Sequence, residues 1–144
     1  MTADLLRALI DKAEAEFAFL FDLGFEQTDH RMIGSSGSFK DGWKLAYRNT
    51  AVYVTILYSD VQLEITFERD GHKASYLFLD KDLFAWKSGL HGDMFPPQKL
   101  EPVIEAIASD VRENYKLILS GDQATWNQIQ RLLQEPSQKP RLPI

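Results

Sequence analysis

Residues 43–79 read WKLAYRNTAVYVTILYSDVQLEITFERDGHKASYLFL, and the fold follows from this stretch. Three turn signals divide it: Asn49-Thr50, Ser59-Asp60 and Asp70-Gly71. Asp-Gly is the strongest, because a tight hairpin turn needs left-handed backbone that glycine adopts at no steric cost. Treating each pair as a two-residue loop fixes the register of four strands, and the side chains then sort by face. One face receives Trp43, Leu45 and Tyr47, then Val52, Val54, Ile56 and Tyr58. Val61, Leu63, Ile65 and Phe67 follow, then Ala74, Tyr76 and Phe78, all apolar or aromatic. A wrong turn length would have brought polar residues inward. In this register Val54 is expected opposite both Leu45 and Ile65, and Ile65 opposite Tyr76.

The opposite face receives Lys44, Ala46 and Arg48, then Ala51, Tyr53, Thr55 and Leu57. Gln62, Glu64, Thr66 and Glu68 come next, then Lys73, Ser75, Leu77 and Leu79. Glu68 opposite Lys73 makes a favourable cross-strand pair. This face is too rich in aromatic and leucine side chains for a plainly solvated surface. Tyr53 and Arg48 are therefore the leading candidate contacts for a partner, since Tyr and Arg most often anchor interfaces. Lys44, Glu64 and Glu68 are expected to form the polar rim.

Upstream of the meander, Leu6, Ile10, Ala13, Phe17 and Leu20 recur at helical spacing and predict a helix over 3–23. Gly24 stops it, with Phe25 folding back onto the last turn. Residues 26–33 are expected to add a short edge strand. Gly34-Ser35-Ser36-Gly37-Ser38 is a loop, and it leads into a strand rather than a helix, so it is not a phosphate cradle. Downstream, Leu100, Val103, Ile104, Ile107, Val111, Tyr115 and Ile118 form a second helical stripe. Ser120-Gly121 ends that helix, and Asp122 caps a last one through Leu133, with Trp126, Ile129 and Leu133 facing inward. The result is an α+β fold: an N-terminal helix, a four- to five-stranded antiparallel meander and two C-terminal helices packed on one face. Residues 1–134 are expected to form one domain. Residues 135–144, with Pro136, Pro140 and Pro143, are expected to be a disordered tail.

Composition narrows the chemistry. With 144 residues, 44% hydrophobic and 26% charged, the chain can bury a core without staples. It has no cysteine, which excludes disulfides, thiol nucleophiles and thiolate metal sites, and suits a reducing cytosol. Sixteen basic residues against 21 acidic ones give a net charge of −5 and no basic run, so nucleic acid is not an expected partner. Met1-Thr2-Ala3-Asp4 has neither a basic n-region nor an apolar run, so no signal peptide is expected. No apolar stretch reaches membrane-spanning length, and no membrane partner is expected.

The sequence carries none of the common catalytic motifs. No Gly-x-Ser-x-Gly elbow joins a strand to a helix. Glu64 and Glu68, four apart on a strand, are too widely spaced for a carboxylate pair. His30, His72 and His91 show no metal-ligand spacing, and no cofactor is expected. The loop from Trp86 to Pro97, with Leu90, Met94 and Phe95, is expected to plug the end of the sheet under the following helix.

Three features together resemble a loose group of small bacterial α+β proteins, some regarded as immunity proteins of polymorphic toxin systems. They are Leu20-Phe21-Asp22-Leu23-Gly24-Phe25, the meander over 43–79, and Leu119-Ser120-Gly121-Asp122 with Trp126. The resemblance implies a non-catalytic protein that binds and blocks a protein partner; a cytoplasmic location is the expectation from the cysteine-free composition and the lack of a signal peptide. The competing expectation is a small enzyme or ligand-binding domain that uses His91 and Asp93 with His30.

Overall fold

The computed structural model describes residues 3–34, 40–79 and 94–134. The expected tail, His91, Asp93 and most of the Trp86 to Pro97 loop lie outside these residues.

The chain opens with helix α1 (Ala3–Glu16) and a further turn, α2 (Phe19–Asp22). The expected stripe is buried: Leu6, Ile10, Ala13, Phe17 and Leu20 are all under 4% exposed. The helix is not continuous to Leu23, however. Ala18 N–H and Leu20 N–H bond back only three residues, to Ala15 and Phe17, which tightens the backbone between α1 and α2. The end is a Schellman cap: Gly24 takes φ 83°, Phe25 N–H donates to Leu20 O, and Gly24 N–H donates to Phe21 O.

Five antiparallel strands follow in the order of the chain: β1 (Glu26–Ile33), β2 (Gly42–Arg48), β3 (Tyr53–Ser59), β4 (Gln62–Arg69) and β5 (His72–Ser75). Trp43, Leu45, Tyr47, Val54, Ile56, Tyr58, Ile65, Phe67 and Ala74 are all 2% exposed or less and belong to one buried cluster with the helices. Full burial of side chains this size contributes about 1.5–3 kcal/mol each. Gly42 is required by a close approach: a Cβ there would fall 1.7 Å from the Tyr58 carbonyl oxygen.

Through Ser75 the faces are as expected, but the register is not; beyond Ser75 the chain turns helical, and Leu79 is fully buried while Phe78 lines the outer face, the reverse of their expected sides. Val54 lies opposite Tyr47 and Phe67, rather than Leu45 and Ile65. Two turns account for the shift. The β2–β3 connection is four residues long, because Asn49 Oδ1 accepts from both Ala51 N–H (2.8 Å) and Val52 N–H (2.7 Å). The β3–β4 turn is centred on Asp60 and Val61, at φ 58° and 55°, one position beyond the expected pair. A β-branched residue rarely takes this conformation. Here Phe95 N–H donates to Val61 O at 2.7 Å, tying the turn to the segment that leads into the next helix. Each error displaces the pairing by two residues, which preserves the face.

β5 stops at Ser75 instead of running to Leu79. The Ser75 side chain accepts from Phe78 N–H (3.1 Å) and caps the helical turn α3 (Tyr76–Phe78), so Ile65 has no strand partner at Tyr76.

After a 3-10 turn at Pro97–Lys99 come α4 (Leu100–Asn114), α5 (Lys116–Leu119) and α6 (Gln123–Gln134). The stripe expected to run to Ile118 breaks at Tyr115. That ring sits 5.5 Å from both Phe67 and Tyr76, and the Tyr76 hydroxyl donates to Asp110 at 2.7 Å. Asp122 caps α6 by accepting from Thr125 N–H at 3.0 Å. Trp126 is fully buried, and its indole N–H donates to Ile118 O at 3.0 Å. Ile129 is also buried, but Leu133 is 42% exposed and does not face the core. No helix among the described residues is long and apolar enough to cross a membrane.

Candidate functional site

The face of the sheet turned away from the core carries three cross-strand rows. The first is Glu26, Arg48, Tyr53, Glu68 and Lys73, one residue from each strand. The second is Asp29, Ala46, Thr55, Thr66 and Ser75. The third is Arg31, Lys44, Leu57 and Glu64. The first and third are long and mostly charged. The middle row, from β2 onward, is short: one alanine, two threonines and a serine.

Long side chains on either side of short ones make a groove across the strands. Successive rows are two residues apart, so the flanking rows stand about 14 Å apart, and five strands extend it about 19 Å. A cavity of about 560 Å³ lies over this floor, lined by Lys44, Thr55, Glu64, Thr66, Glu68, Lys73, Ser75, Phe78 and Leu133. Phe78 from α3 and Leu133 from α6 add an apolar wall to it.

The β1 edge is shaped by a bulge. Thr28 is the extra residue between the Gln27–Tyr47 and Asp29–Ala46 pairs. It lets Glu26, Asp29 and Arg31 share the outer face while Gln27, His30 and Met32 turn toward the helices. A bulge and charged side chains also blunt an edge strand against unwanted pairing.

The charges on the groove are largely committed to one another. Arg48 Nε donates to Glu26 at 2.7 Å. This carboxylate first, and the Tyr53 hydroxyl second, push the guanidinium pKa further up. Lys44 and Arg31 share Asp29, at 3.7 and 3.4 Å. Lys73 stands 3.9 Å from Glu68, the longest of these contacts. Among the described residues Glu64 has no ion-pair partner.

All five candidates proposed for this face lie on it. Arg48, Tyr53 and Glu68 are consecutive in one row, and Lys44 and Glu64 flank Leu57 in another. Tyr53 is 49% exposed. Phe78 and Leu133, both expected on the core side, instead line the cavity. Leu133 shares the helical stripe of Trp126 and Ile129, and nothing in that spacing reveals that the core ends before the helix does. The row of small residues could have been found by reading Ala46, Thr55, Thr66 and Ser75 across the corrected register.

His30 sits elsewhere. It pairs with Leu45 on the helix side of β1, with Nε2 3.6 Å from Glu14 of α1. Gln27 Nε2 donates to the same carboxylate at 2.7 Å. This cluster bridges β1 to α1 on the side of the sheet away from the groove. Among the described residues no three His, Asp or Glu side chains gather where they could hold a metal ion.

No known protein family, curated protein or solved structure matches the chain.

Proposed function

We propose that this protein is a non-catalytic binding module that grips another protein through the outer face of its sheet, acting in the cytosol as an immunity-type inhibitor that blocks its target. The observation that carries the reading is the groove itself. One face of the sheet is consumed by packing against the helices, and the other presents a floored and walled depression with an exposed tyrosine on its rim. Strands hold such side chains at fixed spacing, so little ordering entropy is lost when a partner docks. Arg48 is already held by its hydrogen bond to Glu26, and Tyr and Arg are the residues that most often dominate binding energy. The resemblance in layout to immunity proteins points the same way.

The experiment is a double substitution, Tyr53→Ala with Arg48→Ala. Both side chains are exposed, so melting temperature should hardly change. Capture of the partner from the native cytosol should fall by about tenfold or more. Undiminished capture by a folded double variant would remove the outer face from the interface.

A further inference from the structure

We infer that residues 135–144, the segment that follows α6, dock along the groove, and that the partner must displace them to bind. The displacement rests on the outer face being the partner site; the docking does not. The first observation is where the chain leaves the fold. Leu133 lies in the last turn of α6, is 42% exposed and lines the cavity with Phe78. The lining draws on β2 to β5 but on no residue of β1, so α6 reaches it around the β5 edge. The segment after Gln134 therefore starts at one end of the groove. Ten residues at about 3.1 Å each reach about 31 Å, against about 19 Å across the five strands.

The second observation is the direction of the groove. It crosses the strands, whose main-chain N–H and C=O groups are turned to their neighbours in the sheet. An occupant gains no ladder hydrogen bonds there, so recognition falls to shape and side chains. Residues 135–144 read EPSQKPRLPI, which suits such a floor. Three prolines carry no N–H to leave unpaired, and they favour an extended conformation that loses little entropy on docking. Run out from α6, the segment sets Pro136 beside Phe78 and Leu133 and carries its middle over Thr66 and Thr55, between the two charged rows. Tethered so close, it acts at an effective concentration in the millimolar range. An intrinsic Kd of about 0.1 mM then keeps the groove about nine-tenths occupied and weakens the partner about tenfold.

Paramagnetic NMR on the full chain tests the docking. The chain has no cysteine, so Lys139→Cys supplies a single thiol for a nitroxide label. Amide signals of Ala46, Thr55 and Thr66 should broaden, while those of Ile10 in α1 and Ile107 in α4, on the other side of the sheet, should not. Thr66→Arg, which fills the floor, should abolish the effect at Ala46 and Thr55. Ala46→Arg in the same row repeats the block should Thr66→Arg fail to fold. Broadening confined to the neighbourhood of Leu133, equal on the two sides of the sheet, or unmoved by a folded arginine variant would overturn the docking. Partner capture tests the displacement. Replacing residues 135–144 with alternating Gly and Ser, at unchanged length, should tighten capture about tenfold. A docked segment whose replacement leaves capture unchanged would overturn the displacement and remove the outer face from the interface. An undocked segment in a protein whose capture still falls on Tyr53→Ala with Arg48→Ala would overturn the inference and leave the outer face as the partner site.

Discussion

Ile56 and Leu57 are neighbours in the central strand with side chains of equal carbon count on opposite faces, and truncating each to alanine measures the two faces against one another. Ile56 is 1% exposed and pairs with Leu45 on one side and Ile65 on the other. Ile56→Ala removes three carbons, about 2.4 kcal/mol of transfer free energy at about 0.8 kcal/mol each. Leu45 and Ile65 are held by their own strands and cannot close the gap, so a cavity term raises the cost to about 3–4 kcal/mol. Leu57 lies between Lys44 and Glu64, half-buried and open to water on one side, so Leu57→Ala should cost about 1 kcal/mol. Urea unfolding followed by far-UV circular dichroism reads both, and for a chain of this size the first should lower the melting temperature by roughly 10 °C. The slope of the urea transition should not change, because neither variant alters how much surface unfolding exposes. Equal losses, or a larger loss at Leu57, would refute the assignment of inner and outer faces and with it the groove.

Other outcomes follow from particular contacts. Gly42→Ala forces a Cβ into the Tyr58 carbonyl and should cost more than about 3 kcal/mol, visible as loss of the cooperative thermal transition or of soluble protein. Asn49→Ala removes the two bonds that shape the β2–β3 turn and a third, from Nδ2 to Leu119 O at 3.1 Å, and should cost about 2–3 kcal/mol in urea unfolding. Burial pushes the Tyr58 phenol up to about 12, so the folded state holds that proton more tightly than the unfolded chain does. Its stabilising contribution is complete below about pH 10 and is lost as the pH rises toward 12, on the order of 2 kcal/mol in all. Tyr58→Phe should flatten that alkaline slope.

The faces of the sheet were legible because side-chain direction has a period of two, and a turn that is wrong by two residues leaves every residue on its own side. That is why Val54 and Ile56 were correctly placed in the core while their partners were not. The register depended on chemistry outside the hairpins. Asn49 recruits two backbone N–H groups into a longer turn, and Val61 is held in a left-handed conformation by an N–H from Phe95, 34 residues on. Local sequence shows neither. Helix stripes were legible, but not their interruptions. The break at Tyr115 reflects a ring packed beside Phe67 and Tyr76, which is a tertiary fact. At the site, Arg48, Tyr53 and Glu68 could be put on one face from alternation alone. The groove needed the true register, and its apolar wall needed Leu133 to leave the core.

The most direct test of the outer face as the binding surface is amine cross-linking of the protein with its captured partner, followed by peptide mass spectrometry. Lys44 and Lys73 line the groove, whereas Lys12 pairs with Glu105 at 2.6 Å across the α1–α4 contact on the helix side. The account predicts that partner peptides attach to Lys44 and Lys73. Attachment to Lys12, with Lys44 and Lys73 as reactive in the complex as in the free protein, would contradict it.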